Sequence, residues 1–318
     1  MEKSSKIYVA GHRGLVGSGI VRHLQEQGFS NLILRSRDQV DLTARDAVDQ
    51  FFASERPEYV FLAAAKVGGI LANSKYPADF IRDNLAIELN VIDAAWRNQV
   101  KKLQFLGSSC IYPKFAPQPM KEEYLLTGVL EPTNEWYAIA KIAGIKLCQA
   151  YQAQHGFNAT CLMPTNLYGP GDNFDLNASH VLPALLRKFH EAHSGNRSEV
   201  VIWGTGTPRR EFLHVDDLAS AAVFLMQHYN EPEIVNVGTG EDVTIAELAQ
   251  IVSAVTGFQG KLVFDRSKPD GAPRKLLDVS RIHALGWQHS TALEQGIRST
   301  YDWFLEHIDS ARLESARA

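Results

Sequence analysis

A short apolar run at 6–10 ends in the turn Gly11-His12-Arg13-Gly14-Leu15-Val16-Gly17, and an amphipathic stretch at 16–27 follows directly. A strand that passes through glycine into a helix begins a crossover, and repeated crossovers build a parallel sheet with helices on both faces. The glycines allow a tight turn, close approach of backbone to a pyrophosphate and close packing of the helix. Their spacing is Gly-x-x-Gly-x-x-Gly, not Gly-x-Gly-x-x-Gly, so the strand–turn–helix setting carries the assignment of a dinucleotide site.

The alternation continues. Strands are expected at 31–35, 59–64, 102–108 and 159–164, with helices at 44–55, 77–98 and 135–155 between them. After Thr165 the pattern loosens into the turn Tyr168-Gly169-Pro170-Gly171-Asp172 and a polar loop. Beyond it helices are expected at 181–192, 216–229, 244–256 and 293–307, and strands at 198–203 and 261–264. An extended piece is expected at 208–215, and a strand at 233–237 that rejoins the first sheet. Asp216 is placed to cap the second of these helices, and Thr244-Ile245-Ala246-Glu247 has the capping-box pattern. The expected fold is α/β: a doubly wound parallel Rossmann sheet with a smaller discontinuous C-terminal α/β substrate lobe. Residues 1–165, rejoined by about 211–240, form the cofactor domain, and 166–210 with 241–318 form the lobe, frayed past Ile308.

The chain has 318 residues, 45% of them apolar and 21% charged, enough for a large core in about two domains. A formal net charge of -4 gives no basis for binding nucleic acid or an anionic membrane, so an anionic ligand must be held by local basic residues. No apolar run reaches the roughly 18 residues of a membrane helix, and the N-terminus has no signal-peptide core. The cysteines are Cys110, Cys148 and Cys161, without a Cys-x-x-Cys spacing. Neither a disulfide framework nor a metal site is expected, and a reducing cytoplasm is the simplest compartment.

Ser108-Ser109-Cys110-Ile111-Tyr112 closes the fourth strand, and Tyr137 and Lys141 stand four apart on the following helix. That spacing puts both on one face, one turn apart. An ammonium beside a phenol favours the phenolate and lowers its pKa from about 10, so Tyr137 is expected to exchange a proton with a sugar oxygen near neutral pH. Cys110 and His180 are further proton carriers, which adds proton movement at carbon to hydride transfer. Taken alone, a free cysteine is a small buried hydrophobe and a lone histidine caps the helix after it. The second strand ends Leu34-Arg35-Ser36-Arg37-Asp38. Arg37 with Arg13 forms a clamp for a ribose 2′-phosphate, which favours NADPH over NADH, whereas Asp38 is the acid a free 2′-hydroxyl would meet. Candidate contacts for a nucleotide diphosphate are Arg187, Lys188, Arg209, Arg210, Arg274 and Lys275, with Lys188 and Arg210 preferred and Lys275 next.

Longer segments carry a resemblance: Ala63-Ala64-Ala65-Lys66-Val67-Gly68-Gly69-Ile70, Gly107-Ser108-Ser109-Cys110-Ile111-Tyr112-Pro113 and Met163-Pro164-Thr165-Asn166-Leu167-Tyr168-Gly169-Pro170. Arg210-Glu211-Phe212-Leu213-His214-Val215-Asp216-Asp217 and Lys268-Pro269-Asp270-Gly271-Ala272-Pro273-Arg274-Lys275 continue it. From about Lys6 to about Glu306 the chain resembles the extended short-chain dehydrogenase/reductase family, in particular members that epimerise and reduce a GDP-linked 4-keto-6-deoxy sugar. The resemblance implies a reduction triad of Ser108, Tyr137 and Lys141, with Cys110 and His180 as proton carriers and Lys188, Trp203 and Arg210 on the GDP-sugar. It implies NADP(H) on Gly11, His12, Arg13, Gly14, Leu15, Val16 and Gly17. Further cofactor contacts fall on Arg37, Asp41, Leu106, Gly107, Ser109, Pro164, Thr165, Asn166 and Leu167, and on Lys141 and His180. Asp41 stands where the family carries an amide near the adenine.

The implied reaction inverts C3 and C5 of GDP-4-dehydro-6-deoxy-D-mannose and reduces C4 with NADPH. Helices 77–98 and 135–155 are expected to pair across a two-fold in a homodimer. Two other readings compete. A 4-epimerase or 4,6-dehydratase of the same fold would recycle NAD and lack the Cys110 and His180 pair. A non-catalytic cofactor sensor would lose Tyr137 or Lys141, and both are present.

Overall fold

The computed structural model describes residues 1–176, 179–268 and 270–308. The expected frayed tail past Ile308, and Pro269 of the Pro-Asp-Gly segment, lie outside them. In chain order the strands are β1 (Ile7–Ala10), β2 (Leu32–Ile33), β3 (Tyr59–Leu62), β4 (Lys102–Leu106), β5 (Ala159–Pro164), β6 (Asn166–Tyr168) and β7 (Glu199–Trp203). Then come β8 (Arg209–Arg210), β9 (Phe212–His214), β10 (Val235–Val237), β11 (Val243–Thr244), β12 (Lys261–Asp265) and β13 (Arg274–Lys275). The helices are α1 (Leu15–Glu26), α2 (Arg45–Glu55), α3 (Ile70–Lys75), α4 (Pro77–Arg97) and α5 (Glu135–His155). They continue with α6 (Val181–Ser194), α7 (Val215–His228), α8 (Ile245–Thr256), α9 (Ser280–Ala284) and α10 (Leu293–Glu306).

Six strands form one sheet in the order β10-β5-β4-β3-β1-β2, with every neighbouring pair parallel. Every residue of β1, β4 and β5 is buried, as a parallel sheet covered on both faces requires. From β1 the chain steps outward to β2, then returns to place β3 on the other side of β1. The order therefore reverses between β1 and β3, and a crevice opens there beyond the carboxyl ends of the strands. The expected doubly wound parallel sheet is the observed one, and β10 rejoins it as the segment 233–237 was expected to do.

A second apolar core gathers Tyr168, Phe174, Phe189, Leu248 and Phe304 beneath α6, α8 and α10. Around it, β7 pairs with β12 in parallel, β8 lies between β11 and β13, and β6 pairs with β9. Leu277, Val279, Ile282 and Trp287 pack instead on the sheet core.

Two local expectations need correction. The N-cap of α7 is His214, whose ring nitrogen accepts the Asp216 amide at 3.3 Å. Asp216 lies inside the first turn, where its carboxylate meets Arg22 of α1 at 2.6 Å. The extended piece at 208–215 is two short strands, because Glu211 between them turns its side chain into the interior. The capping box at α8 forms as expected: Glu247 donates its amide to Thr244 Oγ1 at 3.0 Å and accepts the Thr244 amide at 2.7 Å.

Candidate active site

The glycine turn is built for close approach. Gly11 has φ +84, and a Cβ there would stand 2.8 Å from the backbone of Ala64 at the end of β3. A Cβ on Gly17 would stand 2.1 Å from the Gly11 carbonyl oxygen. The two glycines thus bring α1 against the turn and the turn against β3. Gly14 is the N-cap of α1 and offers no side chain to its first amides, so that end is free to meet an anion. Leu15 and Val16 begin the helix. His12 sits beneath the turn with Nδ1 unpaired, and burial, then Arg13, depress its pKa.

Arg37 is 77% exposed and reaches Asp41 at only 3.9 Å. The Asp41 carboxylate also accepts the Thr43 amide at 3.0 Å and hydroxyl at 2.8 Å. On the other side of the crevice, Leu106 ends β4 and Gly107 follows it, where a Cβ would strike Met163. Thr165 and Asn166 follow Pro164, the last residue of β5, and Leu167 lies within β6. The Asn166 side chain donates to the Glu211 carbonyl at 2.8 Å, which fixes the step from the sheet to the second core.

Beyond β4 the chain makes a single 3-10 turn over Ser109–Ile111. Ser108 caps it, its hydroxyl accepting the Cys110 amide at 3.2 Å. Tyr112 is core, donating its hydroxyl to Asn236 at 2.6 Å. Tyr137 is the third residue of α5, and Lys141 follows one turn later. Tyr137 is half-buried, and its phenol lies among these groups. Burial raises its pKa, the nearby Cys110 sulfur and Glu88 carboxylate raise it further, and a hydrogen bond from Ser108 lowers it. This corrects the expectation that Lys141 would pull the phenol down toward neutrality. The Lys141 ammonium is engaged elsewhere: it lies 3.3 Å from Glu88 Oε1, 4.6 Å over the Phe105 ring and 5.9 Å from the Tyr137 ring centre.

Ser109 and Cys110 line a narrow cleft together with Arg274 and Lys275 of β13. His180 is the N-cap residue of α6, but its side chain makes no capping bond. The residue is exposed to solvent, and desolvation by the protein around it, then the Lys275 ammonium, depress its pKa. The structure therefore brings Ser108, Cys110 and Tyr137 together, and connects Cys110 to His180 through Lys275.

A second face lies further out. Trp203, at the end of β7, is 57% exposed, with Lys188 Nζ at 5.3 Å and Lys268 Nζ at 5.5 Å from its ring. Lys188 is half-buried, which lowers its pKa. Arg210 pairs in register with Lys275, and burial lowers its pKa against the pull of Asp270. Arg209 and Arg274 are both tied to Asp242, the first at 2.7 Å. Arg187 is held by Glu191 at 2.7 Å.

Three acids escaped the sequence reading. Glu88 is buried on α4. Glu211 accepts the amides of Thr239 at 2.7 Å, Gly240 at 2.8 Å and Leu277 at 3.0 Å, joining the loops that carry the basic residues. Asp270 accepts the Thr205 amide at 2.6 Å and hydroxyl at 2.9 Å. For Glu88 and Glu211 the available signal was an acid inside an apolar stripe, since glutamate is seldom buried without a partner. Among the described residues no helix is long and apolar enough to cross a membrane, and no group of ligating side chains is placed to hold a metal ion.

Residues 7–238 match the NAD dependent epimerase/dehydratase family. A relative from Oryza sativa subsp. japonica, described as a probable GDP-L-fucose synthase, is 62% identical over 98% of this chain and 95% of its own. The GDP-L-fucose synthase of Escherichia coli K12 is 58% identical over 96% and 98%. Among solved structures, a GDP-L-fucose synthetase from Naegleria fowleri bound to NADP superposes with a TM-score of 0.90 at 30% identity, covering 98% of this chain and 97% of that one. The family match takes in the glycine turn, the Ser-Ser-Cys strand end and the Tyr137–Lys141 helix together, and by it the chain belongs to the NAD dependent epimerase/dehydratase family.

Proposed function

We propose that the chain is a GDP-L-fucose synthase: it inverts C3 and C5 of GDP-4-dehydro-6-deoxy-D-mannose and reduces C4. The observation that carries this reading is the Cys110 residue, near the Tyr137 phenol on one side and sharing a cleft with Lys275 on the other. A plain reductase or 4-epimerase needs the phenol and not the thiol. Relatives of that name at 62% and 58% identity support the same activity.

The cofactor is NADP(H). The β1–β3 crevice fits it, because Gly11 and Gly17 let the turn pack tightly against β3 and α1, and the first amides of α1 are left without a side-chain cap for a pyrophosphate to meet. Gly11 to Gly17, Arg37, Asp41, Leu106 to Ser109, Pro164 to Leu167, Lys141 and His180 would hold it. When bound it supplies the hydride for C4.

The protein's own groups do the rest. Removing a proton from C3 or C5 puts charge on the C4 oxygen, and hydrogen bonds from Ser108 and Tyr137 stabilise it. Cys110 takes the proton, and His180 returns one to the opposite face. The depressed pKa of His180 makes its protonated form a strong donor, populated toward lower pH. Tyr137 then protonates the C4 alkoxide, and its raised pKa keeps it in the form this step consumes. Lys188, Trp203, Arg210 and Lys275 bind the GDP portion through charge and the open indole face.

In this reading residues 1–165, rejoined by about 211–240, hold the cofactor, and 166–210 with 241–318 hold the sugar nucleotide. The working unit is a homodimer. Leu85 and Leu89 of α4 and Trp136 and Ile139 of α5 face solvent, and pairing these helices across a two-fold would cover them. Three free cysteines suit a reducing cytoplasm. The test is to mix the chain with NADPH and GDP-4-keto-6-deoxymannose and follow the absorbance of the reduced nicotinamide. Stoichiometric oxidation with GDP-L-fucose as product is expected. No net oxidation would leave a 4-epimerase or a sensor.

A further inference from the structure

Glu88 lies on the buried side of α4, two residues short of Asn90 and one turn beyond Asn84. Its side chain and that of Lys141 are each 2% exposed, and their charged atoms stand 3.3 Å apart across the seam between α4 and α5. Apart from Lys141, neither carboxylate oxygen has a hydrogen-bond partner among the described residues. The seat is built for this group. Gly144, one turn past Lys141 and in the interior of α5, leaves the space: a Cβ there would stand 2.8 Å from Glu88 Oε2 and 2.5 Å from Phe105. An interior helical glycine costs about 1 kcal/mol against alanine, so the space is not free to keep.

We propose that Glu88 is a positioning residue for the reduction step: its buried carboxylate holds the Lys141 ammonium in the α4–α5 seam and offsets that ammonium's charge at the Tyr137 phenol. The proposal rests on the reductase reading above. A cation one turn from a phenol, left alone, would favour phenolate, which cannot protonate an alkoxide. With a carboxylate behind the cation, the pair is close to neutral from the phenol's side, and Tyr137 stays an acid over a wider pH range. Burial, against the opposing pull of Lys141, raises the Glu88 carboxyl to about 7, so the carboxylate is charged in the alkaline range where a tyrosine would otherwise lose its proton.

The other charged groups nearby are accounted for. Cys110 faces the phenol from the turn after β4. On α5, Cys148 shares a hydrogen bond with Cys161 of β5 and lies near Glu88. Toward α2, Asp93 of α4 pairs with Arg45 and Arg97 of α4 pairs with Asp49. Lys66 is held by Asp79 and Asp83. On β4, Lys102 donates to the Leu225 and Met226 carbonyls at the end of α7.

The test compares wild type with Glu88→Gln and Glu88→Asp. The phenol is titrated without substrate or cofactor, as the ultraviolet difference between each protein and the same protein carrying Tyr137→Phe. The alkaline limb of NADPH-dependent reduction is measured separately. Glu88→Gln should move both the phenol titration and the alkaline limb to lower pH by half a unit or more, about threefold in proton concentration. Turnover on the acid side of the limb should be much less affected. Glu88→Asp, which withdraws the charge by one carbon, should move them the same way by less. A merely structural role would lower the melting temperature and turnover at every pH without moving either titration, and that result would overturn the proposal. So would failure of both variants to fold. Because the phenol titration needs no turnover, a wild type inactive on the keto sugar would sink the function while leaving this measurement to decide the role of Glu88.

Discussion

The site has a closed end and an open end, and they follow different rules. At the closed end Lys141 and Glu88 lie inside the protein as a pair, and the half-buried Tyr137 stands beside them, its phenol raised by burial, then by Cys110 and Glu88. At the open end Trp203 is 57% exposed and Arg37 77% exposed, with cations arranged around them at 5.3 and 5.5 Å or paired loosely at 3.9 Å. Charges held in low dielectric are worth several times more than the same charges in water. The closed end is therefore organised before any ligand arrives, whereas the open end gains its order from the ligand. Chemistry belongs to the first and affinity to the second.

The contrast predicts effects of different size and kind. The largest belongs to Tyr137→Phe, which removes the proton donor and keeps the ring packed. Turnover should fall at least about a hundredfold, as for a lost general acid, while NADPH binding measured by fluorescence stays near wild type. Near-normal turnover would remove Tyr137 from its role and with it the distinction between the two ends.

Cys110 stands between them, in the cleft shared with Arg274 and Lys275. Cys110→Ser keeps the approximate size and replaces the thiol with a hydroxyl that is a far poorer base. Deuterium uptake at C3 and C5 from D₂O should slow by about a hundredfold. Any sugar still reduced should not be inverted at both centres. Uptake at the wild-type rate with the normal product would make Cys110 a packing residue and leave the base unassigned.

What the sequence disclosed follows the same division. Helix α5 begins at Glu135 and ends at His155 as its pattern predicts, and β5 runs from Ala159 to Pro164 likewise. The α8 capping box was legible because all its atoms lie within four residues. Local signals are weak where a distant partner decides. Asp216 has the chemistry of an N-cap, but Arg22 lies 194 positions away and takes its carboxylate. Lys141 beside Tyr137 suggests a depressed phenol pKa until Glu88 is found 53 positions upstream on another helix, an interval no periodicity reveals. The partners of the loop acid Asp270 and the hub Glu211 were hidden for the same reason: they are backbone amides and, for Asp270, the Thr205 hydroxyl, all brought in by tertiary folding.

The smallest expected effect tests the open end at its most exposed residue. If Arg37 meets the ribose 2′-phosphate, it does so by leaving Asp41, to which it is joined at 3.9 Å with both groups well exposed to solvent. An exposed pair of that kind contributes well under about 1 kcal/mol, so breaking it is a small obstacle. A new charge-assisted contact to phosphate is worth more, about 1.5 kcal/mol at the lower end of its range, or about tenfold in affinity. Arg37→Ala should accordingly weaken NADPH about tenfold and leave NADH nearly unchanged, with the difference shrinking as salt is added, because the contact sits in solvent rather than in the interior. Isothermal titration with each cofactor at two ionic strengths reads all three expectations. Equal weakening of both cofactors would locate the 2′-phosphate elsewhere on the turn. A large loss insensitive to salt would mean that Arg37 becomes buried on binding, and that the open end closes over its ligand rather than remaining a surface.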